Sequence, residues 1–273
     1  MLGKLLKYEM RATGRIFLPT YLLLLVFALL SRFSMAAIDF DIVRKYEFLS
    51  ILFFSIIGIY VFTILGAFIV TFIVLIQRFY KNLTGDEGYL MFTLPVSPWQ
   101  LVASKTLSSL LWQLATGVAV LISLFVMLFD PSYLPGLKDV FHQLWIEFTM
   151  EFGVGANIVA MVIEFIIITI VGAIQGMLMI YAAIAIGHTM QNHRILGAVG
   201  AYIGLSIIMQ VLGSVVMIPL GLLNFGNLET IVIQNPFLFF NGIMLVSGLI
   251  SIVSSVIFFF ITTFILSRQL NLE

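Results

Sequence analysis

The chain has 273 residues, of which 62% are hydrophobic and 10% are charged, and its mean hydropathy is +1.16. A soluble domain is about half apolar and about one quarter charged, so this composition excludes a soluble protein and indicates an integral membrane protein. The 13 basic and 13 acidic side chains cancel, so net charge gives no reason to expect a nucleic-acid partner. Cysteine is absent, which excludes disulfides, thiol nucleophiles and thiolate metal sites.

Residues 1–15 have the pattern of an amphipathic helix. The basic side chains on its polar side are Lys4, Lys7, Arg11 and Arg15. We expect this elbow helix to lie on the inner membrane surface, as an anchor for anionic lipid, as a brace for the bundle, or as both. Glu9 lies near the middle of the apolar side. A partner or a basic residue of the inner loops would explain it, and so would simple access to water.

Six uncharged apolar runs predict six membrane spans. They cover residues 16–30, 48–76, 107–129, 165–185, 195–223 and 237–267. Most exceed the roughly 20 residues that a helix needs to cross the hydrocarbon. The first is short, but it extends to Ala36 if the Arg32 side chain reaches the outer headgroups. Barrel strands are shorter and alternate polar with apolar residues, so we expect one all-α polytopic membrane domain over residues 1–273.

Basic residues are distributed unevenly across a six-span threading. One side carries Lys4, Lys7, Arg11, Arg15, Arg78, Lys81, Lys105, Arg194 and Arg268, and the other carries Arg32, Arg44, Lys45 and Lys138. Because cytoplasmic loops are enriched in Lys and Arg, we expect both termini and the loop between the second and third spans to be cytoplasmic.

A polar segment between the second and third spans carries a helix-start signal. Thr84 and Glu87 have the Thr-x-x-Glu spacing of a capping box, in which the two side chains satisfy free amides at a helix start. Pro95 ends the short helix, because the residue before a proline disfavours helical geometry. We expect residues 84–95 to hold a fixed shape against a partner, since a flexible connector needs no such signal.

The start signal is repeated directly after this segment. Ser97 can act as the cap, Pro98 suits the first helical position, and Gln100 can act as the reciprocal partner. The pattern therefore predicts that the next helix begins at Pro98.

Residues 130–153 form the longest outer segment. Its apolar residues Leu137, Phe141, Leu144, Trp145 and Phe148 recur at near-helical spacing among charged residues. We expect an amphipathic helix on the outer surface, with Trp145 as an interfacial anchor.

Glycine pairs occur at small-x-x-x-small spacing in two spans, at Gly172 and Gly176 and at Gly200 and Gly204. Such pairs allow close helix approach in lipid, and we favour packing within the bundle over a dimer face.

Glu164 is a carboxylate in or near the fourth span, and an intramembrane acid is a functional candidate by default. If the span begins near Val162, Glu164 lies among the headgroups and needs no such explanation. His188 and His193 flank an inner turn without a nearby carboxylate or thiolate, so we favour a solvated loop over a metal site.

Enzymatic chemistry is not expected of this chain. Asp86 and Glu87 are adjacent carboxylates, but no nucleophile with a neighbouring base accompanies them. The Gly-x-x-x-x-Gly-Lys-Ser/Thr loop that binds nucleotide phosphates is also missing from the sequence. We therefore expect no catalytic residue, cofactor or metal on this chain.

Two stretches resemble the permease subunits of bacterial type-2 ABC exporters. They are residues 5–15 (Leu-Leu-Lys-Tyr-Glu-Met-Arg-Ala-Thr-Gly-Arg) and residues 88–97 (Gly-Tyr-Leu-Met-Phe-Thr-Leu-Pro-Val-Ser), the second followed by Lys105. The chain departs from the family pattern at Pro98 and Trp99, where many relatives have basic residues.

The resemblance implies six spans with an elbow helix at 1–15 and a coupling helix at 84–95 that docks on a separate ABC ATPase. Its docking residues would be Thr84, Asp86, Glu87, Tyr89, Leu90 and Phe92. It also implies a second permease subunit, identical or different, in the bacterial plasma membrane, with ATP and Mg on the partner ATPase. The substrate would be hydrophobic or amphipathic. The alternatives are an ion- or proton-coupled carrier with Glu164 as the relay, and a membrane-embedded enzyme.

Overall fold

The computed structural model describes residues 2–38, 46–84, 96–129, 134–152, 156–190, 193–222 and 236–268. Within those ranges the chain forms seven α-helices and no strand, which confirms the all-α class. The helices are α1 (Leu2–Ile38), α2 (Glu47–Phe79), α3 (Pro98–Leu128), α4 (Leu134–Phe152), α5 (Ala156–His188), α6 (Arg194–Leu222) and α7 (Pro236–Arg268). A π-helical turn, Tyr80–Thr84, continues directly from α2.

Six of these helices, all except α4, are long and apolar enough to cross a membrane, as the sequence predicted. The first four spans are longer than the apolar runs alone, and the second covers 37 residues from Glu47 to Leu83. A helix of that length measures about 56 Å, whereas the hydrocarbon of a bilayer is about 30 Å thick. The chain therefore belongs to a multi-pass membrane protein whose helices reach beyond the hydrocarbon.

The N-terminal segment and the first span form one helix. α1 runs for 37 residues, so the predicted boundary between an elbow helix and the first span is not seen as a break. No helix-ending turn separates the basic segment from Ile16, and the hydroxyl of Thr20 donates to the Ile16 carbonyl at 3.0 Å. Pro19 lies inside α1. Because proline has no amide hydrogen, the carbonyl of Arg15 lacks its usual intrahelical donor.

The first compact unit, Met1–Arg78 with Ala103–Leu134, contains α1, α2 and most of α3. Its apolar core contains Leu24 and Ala28 of α1, Tyr60 of α2 and Val120 of α3. Arg32 of α1 is half-buried and donates to the carbonyl of Val126 at 3.3 Å. That carbonyl lies in the last turn of α3, where a cation is favoured by the helix dipole.

The second compact unit, Phe79–Val102 with Pro135–Glu273, contains α5 packed against both α6 and α7. The rings of Phe79 and Tyr181 stack with their centres 3.9 Å apart. Phe79 and Leu83 lie four residues apart, on the same face of a helix, and both are fully buried. Their burial explains why the helical conformation continues to Thr84. The polar side chains between them had suggested a loop.

The glycine pairs in α5 and α6 do not pack as expected. A Cβ added at Gly172, Gly176, Gly200 or Gly204 would meet no atom within 4 Å. The prediction that these pairs mediate packing within the bundle is therefore wrong for the part of the chain that the structure describes. The close approach of α5 and α6 occurs instead at Gly187, beside Ala198.

A helix in the outer segment is confirmed as α4. Its charged residues Lys138 and Asp139 and its apolar residues Phe141 and Trp145 are all exposed. Its position on the outer membrane surface remains a prediction.

Candidate functional site: polar contacts among the spans

An ion pair joins α1 to α3. The ammonium of Lys105 donates to the carboxylate of Glu9, and both side chains are buried, with only 4% and 10% of their surfaces exposed. One turn along α1, the buried Thr13 hydroxyl donates to the carbonyl of Glu9 at 2.7 Å. Removing one partner of a buried pair strands the other charge, at a cost of about 3–5 kcal/mol. The position of Glu9 on the apolar side is thus explained by a basic residue of the chain, which lies on α3 rather than in a loop.

Hydroxyl groups connect the three helices of the first unit, and the sequence analysis did not identify them. Thr116 of α3 shares hydrogen bonds with Tyr21 of α1 at 2.8 Å and with Thr71 of α2 at 2.9 Å. Further along, Tyr60 of α2 and Ser123 of α3 share a bond of 2.8 Å. In lipid such bonds fix how helices pack. Their only signal was the presence of Ser, Thr and Tyr within apolar runs, which does not indicate which residues meet.

Most predicted docking residues lie outside the described residues: Asp86, Glu87, Tyr89, Leu90 and Phe92. Thr84 is the last residue of the π-helical turn that continues from α2. At its other end, the predicted helix start at Pro98 is confirmed. The carbonyl of Ser97 accepts a hydrogen bond from the amide of Gln100 at 2.9 Å, as expected for the residue that precedes a helix.

The elbow residues divide between two environments. The basic side chains of Lys4, Lys7, Arg11 and Arg15 are exposed, whereas the Glu9 side chain is buried. The charge pattern predicted for residues 1–15 is therefore present on the helix surface, with the acid turned towards α3.

Glu164 of α5 contacts Asn241 of α7. The side-chain amide of Asn241 lies 2.8 Å from each carboxylate oxygen, and the contact is half-buried. The candidate span that carries Glu164 runs from Ile158 to His188. Glu164 lies six residues, or about 9 Å, along this helix from Ile158. The sequence analysis missed Asn241, whose signal was a single amide within the last apolar run.

We expected His188 to lie in a solvated loop, and this prediction is wrong. It is the last residue of α5, only 8% of its surface is exposed, and its ring centre lies 5.2 Å from that of Tyr80. Its Nε2 atom has no hydrogen-bond partner among the described residues. His193 is exposed, as expected. Within the described ranges, no group of three or more His, Cys, Asp or Glu side chains could hold a metal ion.

An apolar cleft of about 500 Å³ lies between α6 and α7. Residues such as Leu205, Met209, Leu212, Leu249, Val253 and Ile257 line it. The hydroxyl of Ser254, also in the lining, donates to the Ile250 carbonyl at 2.7 Å and is therefore satisfied within its own helix. The volume falls within the range of small-molecule sites, about 300–1,000 Å³. The cleft can accommodate an apolar group but offers almost no polar contact.

The described contacts thus comprise one buried ion pair, hydroxyl bonds between helices, a carboxylate–amide pair and an apolar cleft. None of them places a nucleophile beside a base. Comparison of the chain with protein-family models, with curated proteins and with solved structures finds no match.

Proposed function

We propose that this chain is the membrane-spanning permease subunit of an ATP-driven ABC exporter in a bacterial plasma membrane. It would form the path for a hydrophobic or amphipathic substrate, such as a peptide, a lipid or a drug-like molecule. A separate ATPase would supply the energy, and a second permease subunit would complete the path. The observation that best supports this proposal is the buried pair of Glu9 and Lys105.

The pair connects the two stretches that carry the family resemblance. Residues 84–95, the proposed coupling helix, lead into α3, which begins at Pro98. Lys105 lies seven residues further, or about 10 Å along α3. A displacement of the coupling helix by the ATPase would move the start of α3, and the ion pair would carry that movement to α1. This is a rigid-body rearrangement of helices, with ATP and Mg bound to the ATPase rather than to this chain.

The apolar cleft between α6 and α7 supports the proposed substrate class. Its lining is almost entirely hydrocarbon, so the apolar part of an amphipathic substrate would gain contacts there without the loss of polar hydrogen bonds. A small ionic substrate would lose its hydrogen bonds to water in the cleft and would find almost no polar group there to replace them.

One observation favours a second candidate function, a proton-coupled carrier. Glu164 lies in an apolar span and its carboxylate holds the amide of Asn241 on another helix. Protonation of Glu164 would weaken this contact between α5 and α7, which is what a relay in a carrier requires. Such a protein would need no ATPase.

Purification separates the two candidates. We expect a tagged chain, extracted from its native membrane in mild detergent, to bring an ATPase with it in a fixed ratio. Vesicles that contain both proteins should accumulate a hydrophobic dye only when ATP is added. Transport by the chain alone that follows an imposed proton gradient would contradict the ABC exporter and support the carrier.

A further inference from the structure

A pocket of about 300 Å³ lies between the basic end of α1 and the end of α2. Tyr8, Arg11, Ala12 and Arg15 of α1 and Arg78 of α2 line it. We propose that this pocket binds the phosphate of an anionic phospholipid headgroup.

The charge of the pocket points to an anion. Among the described residues, three guanidinium groups line it and no carboxylate does. The acid closest along α1, Glu9, is buried in its pair with Lys105. Guanidinium groups present planar pairs of donors that match phosphate oxygens, and the hydroxyl of Tyr8 can add another donor.

The depth of the pocket points to a lipid. Arg15 directly precedes the apolar part of α1, and Arg78 is the first charged residue after Glu47 on α2. Both arginines therefore lie at the border of the hydrocarbon, which is the level of the phospholipid phosphates. Exposed apolar side chains follow on the hydrocarbon side of the arginines, among them Ile16 and Leu18 on α1 and Ile73 on α2. These side chains would contact the acyl chains of a lipid whose phosphate lies in the pocket.

The proposed site goes beyond the lipid anchor expected of an amphipathic helix. An anchor needs only scattered positive charge and binds any anionic surface. Here the arginines come from two helices and surround one pocket, so binding depends on particular residues. The site also does not depend on which energy source drives the protein.

Retention of individual lipids tests the proposal. The full chain would be reconstituted in nanodiscs of phosphatidylcholine with an equal share of phosphatidylglycerol, released into mild detergent, and examined by native mass spectrometry. We expect wild-type protein to retain phosphatidylglycerol in preference to phosphatidylcholine. In the Arg15→Gln, Arg78→Gln variant, retention should fall about tenfold or more, because two charge-assisted hydrogen bonds to the lipid phosphate are lost.

The matched control removes the same charge elsewhere on α1. Lys4 and Lys7 are exposed and do not line the pocket, so the Lys4→Gln, Lys7→Gln variant should retain phosphatidylglycerol to within about twofold of wild type. If the arginine variant does not fold, Arg11→Gln replaces it, since that side chain is exposed. Equal losses in the lysine and arginine variants would overturn the proposal. Binding of inorganic phosphate, added at millimolar concentration, without preferential retention of phosphatidylglycerol would overturn it too, since the pocket would then be a site for free phosphate.

Discussion

Gly187 of α5 and Ala198 of α6 lie so close that a Cβ added to the glycine would be 2.3 Å from the backbone nitrogen of Ala198. No real Cβ approaches a backbone atom so closely, and the atom in the way cannot rotate aside. The turn between α5 and α6 therefore requires glycine at this position, and the two helices can meet only because it is there.

Gly187→Ala should separate α5 from α6 and destabilise the protein. Overpacking of this kind costs about 1–3 kcal/mol. Gly176→Ala is the matched control on the same helix, because a Cβ there meets nothing within 4 Å. Thermal unfolding of both variants in detergent would show the difference. Equal midpoints for the two variants would mean that the close approach is not a feature of the folded protein.

Lys105→Met should strand the buried carboxylate of Glu9 and destabilise the protein by about 3–5 kcal/mol. Adding Glu9→Gln to that variant removes the stranded charge and should recover much of the loss. Lys4→Met is the control, since Lys4 is exposed. The free energy of unfolding measured for the four combinations at positions 9 and 105 gives the coupling between the two residues. A coupling of zero would remove the mechanical link proposed between α3 and α1.

Tyr89→Asp combined with Phe92→Asp should abolish the stimulation by substrate of the proposed partner ATPase while the bundle stays folded. Thr84→Ala combined with Glu87→Ala should have a smaller effect, because the loss of a helix cap costs about 1 kcal/mol. Trp99→Asp, outside the proposed coupling helix, is the control. Substrate-stimulated ATPase activity that is unchanged in the Tyr89 and Phe92 double variant would exclude this segment as the docking element.

Glu164→Gln should keep a substantial part of ATP-dependent transport. The glutamine can still accept a hydrogen bond from Asn241, and an exporter driven by ATP needs no group that changes charge. Asn241→Leu is a useful comparison, because it removes the contact and keeps the carboxylate. The carrier hypothesis predicts the reverse: transport without ATP that follows a proton gradient and disappears in Glu164→Gln.

The proposed orientation can be measured with single cysteines in this cysteine-free chain. Lys81, Lys138 and His193 are suitable positions because their side chains are exposed. An impermeant thiol reagent added to intact cells should label position 138 and should label 81 and 193 only after lysis. Labelling of position 81 from outside would show that the chain has the opposite orientation. Residues 84–95 would then be out of reach of a cytoplasmic ATPase.

Features set by local sequence were predictable. Six helices follow from hydropathy, and the start of α3 at Pro98 follows from its capping signals. The continuation of α2 to Thr84 was missed, because the polar residues after Phe79 indicated a loop. There the burial of Phe79 and Leu83 decided the conformation.

Contacts between residues that are distant in the sequence could not be predicted as well. Glu9 and Lys105 are 96 positions apart, and the sequence marked only the first of them as unusual. The sequence likewise did not identify Asn241 as the partner of Glu164, which lies 77 positions away. A helical pattern shows which side chains share a face, but not which face meets which helix. The contact between His188 and Tyr80 could not be predicted for the same reason.

Pro19 gives α1 a natural pivot close to the point where its basic segment meets its apolar run. The broken hydrogen bond to Arg15 lowers the resistance to bending at that point, while the rest of the helix stays stiff. The arm from Pro19 to Leu2 is about 25 Å long, so a change of 10° in the bend would move its tip by about 4 Å. An uninterrupted helix can therefore still bend at this point, and Pro19→Ala, which restores the missing amide donor, should stiffen it.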